Sequence, residues 1–334
     1  MAIGYDELSF NEKKYYDKIY RAILNGEGSI NLFGLFRMET LEKIIVALKY
    51  DHTEFFYVDF QQINCAIAAA GMIYYIHYTI RLSVRDMMNR NMESWIKTAI
   101  NQMQLTGDET EAEIYKKVHN YIIRNIEYDY DALKNPDMYP EAFTVRGIFE
   151  RKKAVCEGIS KAFKLLCDRV GAKDVYVVEG ISSREGFGNS IPHAWNIVKS
   201  GNKYSHIDVT WDLGSSSTCR YNRYDYFMIP DDWINIDHTY TKRFKCEEID
   251  QSYFSRQSCL ISGSNALKDF LNQKLQKNFS ILYFKIVGKN GLPNDIDNKV
   301  DNIVQNAIRQ YARRTYTIEM MPNREQNIYF YKII

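Results

Sequence analysis

The 334-residue chain lacks the features that mark several large classes of protein. Neither charge is in surplus: 43 Lys and Arg stand against 42 Asp and Glu, for a formal charge of +1. Without a basic excess there is no general field to draw nucleic acid or an anionic membrane as the main partner. No Cys-x-x-Cys pair occurs among Cys65, Cys156, Cys167, Cys219, Cys246 and Cys259, which argues against a zinc ribbon and a thioredoxin-like motif. Reduced thiols in a cytoplasmic protein are the expectation, with no cofactor and no metal. The N-terminal stretch MAIGYDELSFNEKKYYDKIY has no apolar run of signal-peptide type. The most apolar stretch, Cys65 to Ile80, is broken by Gly71 and His77 and falls short of the ~20 apolar residues that cross a bilayer, so membrane insertion is not expected. Internal repeats and low-complexity segments are also missing. What remains is 46% hydrophobic and 14% aromatic, enough to exclude disorder and to build a substantial core. At roughly 150 residues per domain the length suggests two domains.

Hydrophobic spacing divides the chain further. Ser9 to Glu12 has capping-box spacing, followed by apolar Tyr16, Ile19, Tyr20, Ile23 and Leu24 and a stop at Asn25-Gly26. A second helix is predicted over Glu39 to Lys49, strands over Phe55 to Ser83, and helices over Val84 to Leu105 and from a capping box at Asp108 to Glu111 onward. Glu127 to Tyr139, with Asn135-Pro136, reads as a surface loop. A helix opens at Cys156 and stops at Gly171. Val175 to Ile181 is a strand, residues 182–191 a Gly/Ser loop, and Ala194 to Val198 pairs with Tyr204 to Thr210 across Gly201-Asn202. Beyond Phe244, helices at Ser264 to Leu275 and Asp295 to Arg313 alternate with strands at Ile281 to Val287, Tyr316 to Met320 and Ile328 to Ile333. The expected organisation is an N-terminal α+β segment (1–107), a core (108–243) and a C-terminal α/β unit (244–334).

The core holds the chemistry-bearing residues. Cys156 lies in the first turn of a helix, where free backbone N–H groups and the helix dipole favour an anion. His193, at a strand start, can take the thiol proton and return it to a leaving group, and Asp208 on the neighbouring strand can fix its tautomer. A two-residue hairpin loop sets Ser200 opposite Lys203 and Asp208 opposite Trp195, diagonal to His193 on the same face. A four-residue loop also suits the triad; a three-residue loop puts the two side chains on opposite faces.

The text around these residues, Lys153-Ala154-Val155-Cys156-Glu157-Gly158-Ile159-Ser160-Lys161-Ala162-Phe163, then His193-Ala194-Trp195-Asn196-Ile197-Val198, then Tyr204 to Asp212, resembles the transglutaminase-like superfamily of papain-type cysteine enzymes, in particular its bacterial branch. Tyr224-Asp225-Tyr226-Phe227 and Asp237-His238 are similar to that family's trailing motif. The resemblance covers Asp108 to Tyr240 well and the flanks weakly. It implies an α+β papain-like fold, a nucleophile helix packed on an antiparallel sheet. It further implies a Cys156-His193-Asp208 triad that transfers acyl groups through a thioester, either to water as a protease or amidase or to an amine as a transglutaminase. The partners implied are a peptide or protein substrate and, as further options, cell-wall material or a primary-amine acceptor. The N–H of Cys156 is the expected first oxyanion donor; the sequence identifies no second. Trp195, His206, Trp211 and His238 are the candidates for lining or supporting the site. Calcium-site and accessory patterns of the large animal transglutaminases are not evident, nor are the paired cysteines of the zinc-bearing peptide N-glycanases.

Each of these residues also has a simpler reading. A cysteine alone is more often a buried packing residue than a nucleophile, and the other five keep that reading. His52, His77 and His119 show no partner pattern. Tyr-rich segments such as Tyr74-Tyr75-Ile76-His77-Tyr78 are accounted for by strand packing. Arg151-Lys152-Lys153 and Arg313-Arg314 read as solvated faces, although the first precedes the nucleophile and could raise the potential there. The rival to an enzyme is a catalytically idle binding or scaffold module with the same fold, which has no need of all three triad groups.

Overall fold

The computed structural model describes residues 4–183, 190–242, 244–277, 279–288, 295–311 and 316–334. Most of the 182–191 loop and Arg313-Arg314 lie outside them. The first 100 residues form helices around a small sheet: α1 (Phe10–Asn25), β1 (Ser29–Phe33), α2 (Met38–Asp51), β2 (Asn64–Ala68), β3 (Gly71–Tyr75) and α3 (Leu82–Met103). Helix α1 has both bonds of its Ser9/Glu12 capping box and stops at Gly26, whose φ of 73° suits glycine. Strand pairing is narrower than the composition of 55–83 suggests. Only β2 and β3 are strands there, and β1, not foreseen, completes the sheet in the order β1-β3-β2. Phe55, Phe56, Tyr57 and Val58 instead turn into the core as a buried aromatic knot.

Helix α4 (Glu111–Asn125) is capped two residues later than expected, by Thr110 with Glu113. Asp108 and Glu109 instead close the preceding turn, Glu109 accepting from the N–H of Thr106. The expected loop at 127–139 is structured. It holds β4 (Glu127–Tyr128), paired in parallel with β5 (Lys153–Ala154), and a short helix α5 (Tyr130–Lys134) capped by Asp129. The β4–β5 pair matches Tyr128 with Ala154 and so brings Tyr128 beside the start of α6 (Cys156–Arg169).

Helix α6 is central, with Ile159, Ala162, Phe163, Leu165 and Leu166 all buried. It packs against a five-stranded antiparallel sheet in the order β10-β6-β7-β8-β9, made of β6 (Val175–Ser182), β7 (Ile191–Ser200), β8 (Lys203–Ile207), β9 (Phe227–Ile229) and β10 (His238–Tyr240). The chain is thus α+β, a helix on an antiparallel sheet with further α/β structure at both ends. Between β8 and β9 runs α7 (Val209–Cys219), where the sequence pattern suggests continued strand. Asp208 caps it through bonds from the N–H groups of Thr210 and Trp211, and a capping carboxylate there prevails over the β-branched residues that follow. After α8 (Asp231–Ile234) and α9 (Tyr253–Arg256), the C-terminal unit contains β11 (Leu260–Ile261), α10 (Ser264–Gln276), β12 (Ile281–Ile286), α11 (Ile296–Tyr311), β13 (Ile318–Met320) and β14 (Ile328–Ile333), its sheet ordered β11-β12-β14-β13. One continuous apolar core runs through all three segments, from Leu8 to Tyr331.

Glycine at 158 is a steric requirement. A Cβ there meets the carbonyl oxygen of Ala142 at 2.4 Å and the Cβ of Ala154 at 2.9 Å, so no larger residue lets the first turn of α6 sit against the 140–143 turn. Gly158→Ala is expected to lower stability by about 1–3 kcal/mol, as overpacking does, while Gly28→Ala, with nothing within 4 Å, changes it by less than about 0.5 kcal/mol. Denaturant unfolding of the two variants measures the difference.

Candidate active site

Cys156 is the first residue of α6 and half-buried. The residue before it, Val155, offers no capping side chain, so the first-turn N–H groups meet no side-chain oxygen of an N-cap. The Ser160 hydroxyl, one turn on, donates to the carbonyls of Cys156 (2.8 Å) and Ala194 (3.0 Å), and Asn196 donates to the carbonyl of Ser160 (3.1 Å). These bonds fix the nucleophile helix to β7 next to His193.

The β7–β8 hairpin has the two-residue loop, with Ser200 paired to Lys203 and the ladder ending at Asn196 with Ile207. Asp208 therefore falls across from Trp195 and diagonal to His193, whose Nε2 lies 2.7 Å from Asp208 Oδ2. With Nε2 engaged, Nδ1 is the nitrogen left for the Cys156 thiol, which interacts with the ring. Burial works against a charged His193, but the Asp208 carboxylate and the Cys156 thiol outweigh it and push the ring up to about 10. Burial likewise opposes a charged Asp208, yet His193 and His238 hold it well below the usual carboxylate range. The three groups can therefore take, hold and return one proton beside a thiol.

The supporting candidates fall into two sets. Trp211 and His238 flank the triad, Trp211 with its ring 5.8 Å from His193 and 4.4 Å from His238. His238 Nε2 is 3.1 Å from Asp208 Oδ2. Trp195 and His206 are fully buried behind the histidine. Trp195 stacks on His193 at 5.9 Å and donates its indole N–H to His206 Nδ1 (3.0 Å). Gly180 makes room for that indole, since a Cβ there would lie 2.7 Å from it.

Among the described residues, two clusters bring three metal-capable side chains together: His193, Asp208 and His238, and His206, Asp231 and Cys246. In the second, His206 accepts at Nδ1, so its proton sits on Nε2 and points at Asp231 Oδ1, 3.1 Å away, with no lone pair left for a cation. Burial, reinforced by Asp231, pushes the Cys246 thiol up to about 12. In the first, Asp208 Oδ2 already receives both rings. Both clusters read as hydrogen-bond networks.

Two residues near Cys156 were not apparent from the sequence. The Tyr128 hydroxyl lies near Cys156, and burial, with Cys156 nearby, pushes its ionisation upward, so it stays a protonated donor. A parallel pairing of two-residue strands leaves no sequence signal that could have placed it. Glu157 pairs with Lys161 (2.8 Å) and with Lys49 of α2 (2.9 Å) at one wall of a cavity of about 610 Å³, also lined by Phe56, Phe60 and Phe143. Two members of the basic run before Cys156 are paired: Arg151 is bound to Asp129 (2.8 Å) and Glu141 (2.7 Å), and Lys153 to Glu127 (3.2 Å).

Residues 98–209, which include Cys156, His193 and Asp208, match the model of the transglutaminase-like superfamily. Among curated proteins, kyphoscoliosis peptidase of Mus musculus is 26% identical over 147 residues, covering 40% of this chain and 22% of that protein. Its Homo sapiens counterpart is 25% identical over 166 residues, 42% of this chain and 25% of that protein. The chain thus spans at most a quarter of the length of these relatives. A solved structure described as the crystal structure of a TGase aligns over 45% of this chain and 44% of that one, at 20% identity and a TM-score of 0.30. The chain carries a transglutaminase-like domain.

Replacing Asp208 tests the His193 pair. In Asp208→Asn the iodoacetamide reaction of Cys156 at pH 7 is expected to slow by roughly tenfold or more, read by peptide mass spectrometry. The ring titrates near 10 when folded and near 6.5 when unfolded. Its stabilisation is therefore complete below about pH 6.5 and fades as pH rises towards 10, a decline that the variant should lack in unfolding measured across that range.

Proposed function

We propose that this protein is a cysteine-dependent acyl-transfer enzyme acting on peptide-like amides, with Cys156 as nucleophile, His193 as base and acid, and Asp208 as orienting carboxylate. The observation that carries the reading is the buried 2.7 Å bond between His193 and Asp208, on a ring that also feels the thiol of a cysteine at a helix start. A half-buried thiol can be reached by a substrate, whereas Cys167, Cys219, Cys246 and Cys259 are buried.

The chemistry follows from the placement. His193 holds the thiol proton as an imidazolium, and the sulfur adds as a thiolate to the amide carbon, giving a tetrahedral oxyanion. The carbonyl oxygen enters between the Cys156 N–H and the nearby Tyr128 hydroxyl and accepts a hydrogen bond from each. His193 passes its proton to the departing amine, the C–N bond breaks and a thioester remains. Water or an amine then adds to the thioester, loses its proton to His193, and expels the sulfur, which recovers the proton. The acceptor decides between hydrolysis and transamidation. The name kyphoscoliosis peptidase, carried by relatives matched over 40–42% of this chain, agrees with the first of these.

Incubation with a peptide library, with and without a primary amine, should give products whose masses separate the two outcomes. Both products should vanish in Cys156→Ala; their persistence would refute the assignment. Tyr128→Phe is expected to lower kcat by about 10- to 1,000-fold with little change in KM, the signature of a lost oxyanion donor, in steady-state kinetics on any peptide found.

A further inference from the structure

His238 is buried, and both of its ring nitrogens face carboxylates: Nε2 lies 3.1 Å from Asp208 Oδ2 and Nδ1 lies 2.6 Å from Asp237 Oδ1. A neutral imidazole has one N–H and one lone pair, so it would turn the lone pair on one of these oxygens. With both carboxylates ionised, only the doubly protonated ring satisfies both. The groups facing it are Asp208 at the start of α7, Asp237 beside it in the chain, His193 of β7 with ring centroids 5.4 Å apart, His206 of β8, whose charged form burial and then His238 disfavour, and the rings of Trp195, Trp211 and Tyr226.

Asp237 is held in turn from the C-terminal unit. Its Oδ2 accepts from the Tyr226 hydroxyl (2.6 Å) and from Gln326 Nε2 (2.8 Å), and Asn323 Nδ2 donates to Tyr226 (3.1 Å) and to Asp225 (3.2 Å). Gln326 and Asn323 are buried in the 321–327 connection between β13 and β14. Asp237, His238, Asn323 and Gln326 all lie beyond residues 98–209, the span of the family match.

We propose that His238 is a positioning residue of the acyl-transfer site: held as an imidazolium between Asp208 and Asp237, it draws part of the Asp208 charge away from His193. The C-terminal unit belongs to the site because its 321–327 connection fixes Asp237. The inference rests on the acyl-transfer reading and explains how one histidine serves both halves of the cycle. In the free enzyme the Cys156 thiol helps to hold the ring protonated; once the sulfur is acylated that support is gone, and a carboxylate given wholly to His193 would by itself keep the ring from accepting a proton from water attacking the thioester. Sharing Asp208 Oδ2 with a second cation keeps His193 able to release and retake its proton.

The test uses 4-nitrophenyl acetate, which acetylates the Cys156 sulfur and releases 4-nitrophenol. Deacylation then needs neutral His193: the water oxygen bonds to the acyl carbon, its proton goes to the ring, the C–S bond breaks, and acetic acid leaves. In Asp237→Asn the amide can donate to His238 Nδ1, so the ring keeps its place and loses its charge. Deacylation at neutral pH is expected to slow about tenfold and its pH midpoint to rise by about one unit, while iodoacetamide alkylation of Cys156 stays within about threefold of wild type. Unchanged deacylation, or a parallel fall of both reactions, would overturn the proposal. Wild-type protein gives an independent reading should the variant not fold: 15N spectra of the histidine rings at pH 8 are expected to show both His238 nitrogens protonated, and a neutral His238 ring would equally overturn it. Failure of wild type to acetylate at Cys156 would instead refute the acyl-transfer reading, leaving the charge state of His238 to be decided by the spectra.

Discussion

Asp208 organises the site because each of its oxygens has a separate task. Oδ1 receives the N–H groups of Thr210 and Trp211 and so starts α7, while Oδ2 receives His193 and His238. The same carboxylate thus ends β8, turns the chain into a helix and sets the orientation of the His193 ring. A fully buried carboxylate is costly unless its lone pairs are met, and here four hydrogen bonds from three elements meet them. The geometry around it is over-determined: moving the ring, the helix or the hairpin would leave a buried charge short of partners.

Much of this was legible in the sequence, and the reasons are local. Cys156 opens a helix that the hydrophobic pattern marks well, and the turn at Gly201-Asn202 sets the register that brings His193 and Asp208 together. The first helix was equally legible, since its capping box and terminal glycine both lie within its own segment. The features that escaped depend on partners far along the chain. Strand β1 exists because β3 pairs with it, and Tyr128 reaches the nucleophile through a parallel two-residue bridge. Neither leaves a period to read. Helix α7 escaped for another reason: Val209 and Thr210 favour a strand, but the capping bonds of Asp208 decide the conformation.

The flanking segments contribute to the site as well as enclosing it. From the N-terminal side, Lys49 of α2 pairs with Glu157, the residue after the nucleophile. From the C-terminal side, Gln326 and Asn323 support the Asp237 and Tyr226 network. Arg223, buried and bonded bidentately to Asp225, ties that network to the carbonyl of Met321. Such connected buried polar groups are stable only when every member is satisfied, which makes the far end of the chain relevant to the chemistry at Cys156.

The central claim is that one thiol of six is set apart by its surroundings. The most direct test is a brief iodoacetamide pulse on the native protein at pH 7, followed by peptide mapping of all six cysteines. Cys156 is predicted to carry the first equivalent of label, ahead of the comparably accessible Cys65. Equal labelling of the two, or label on Cys65 first, would contradict the account.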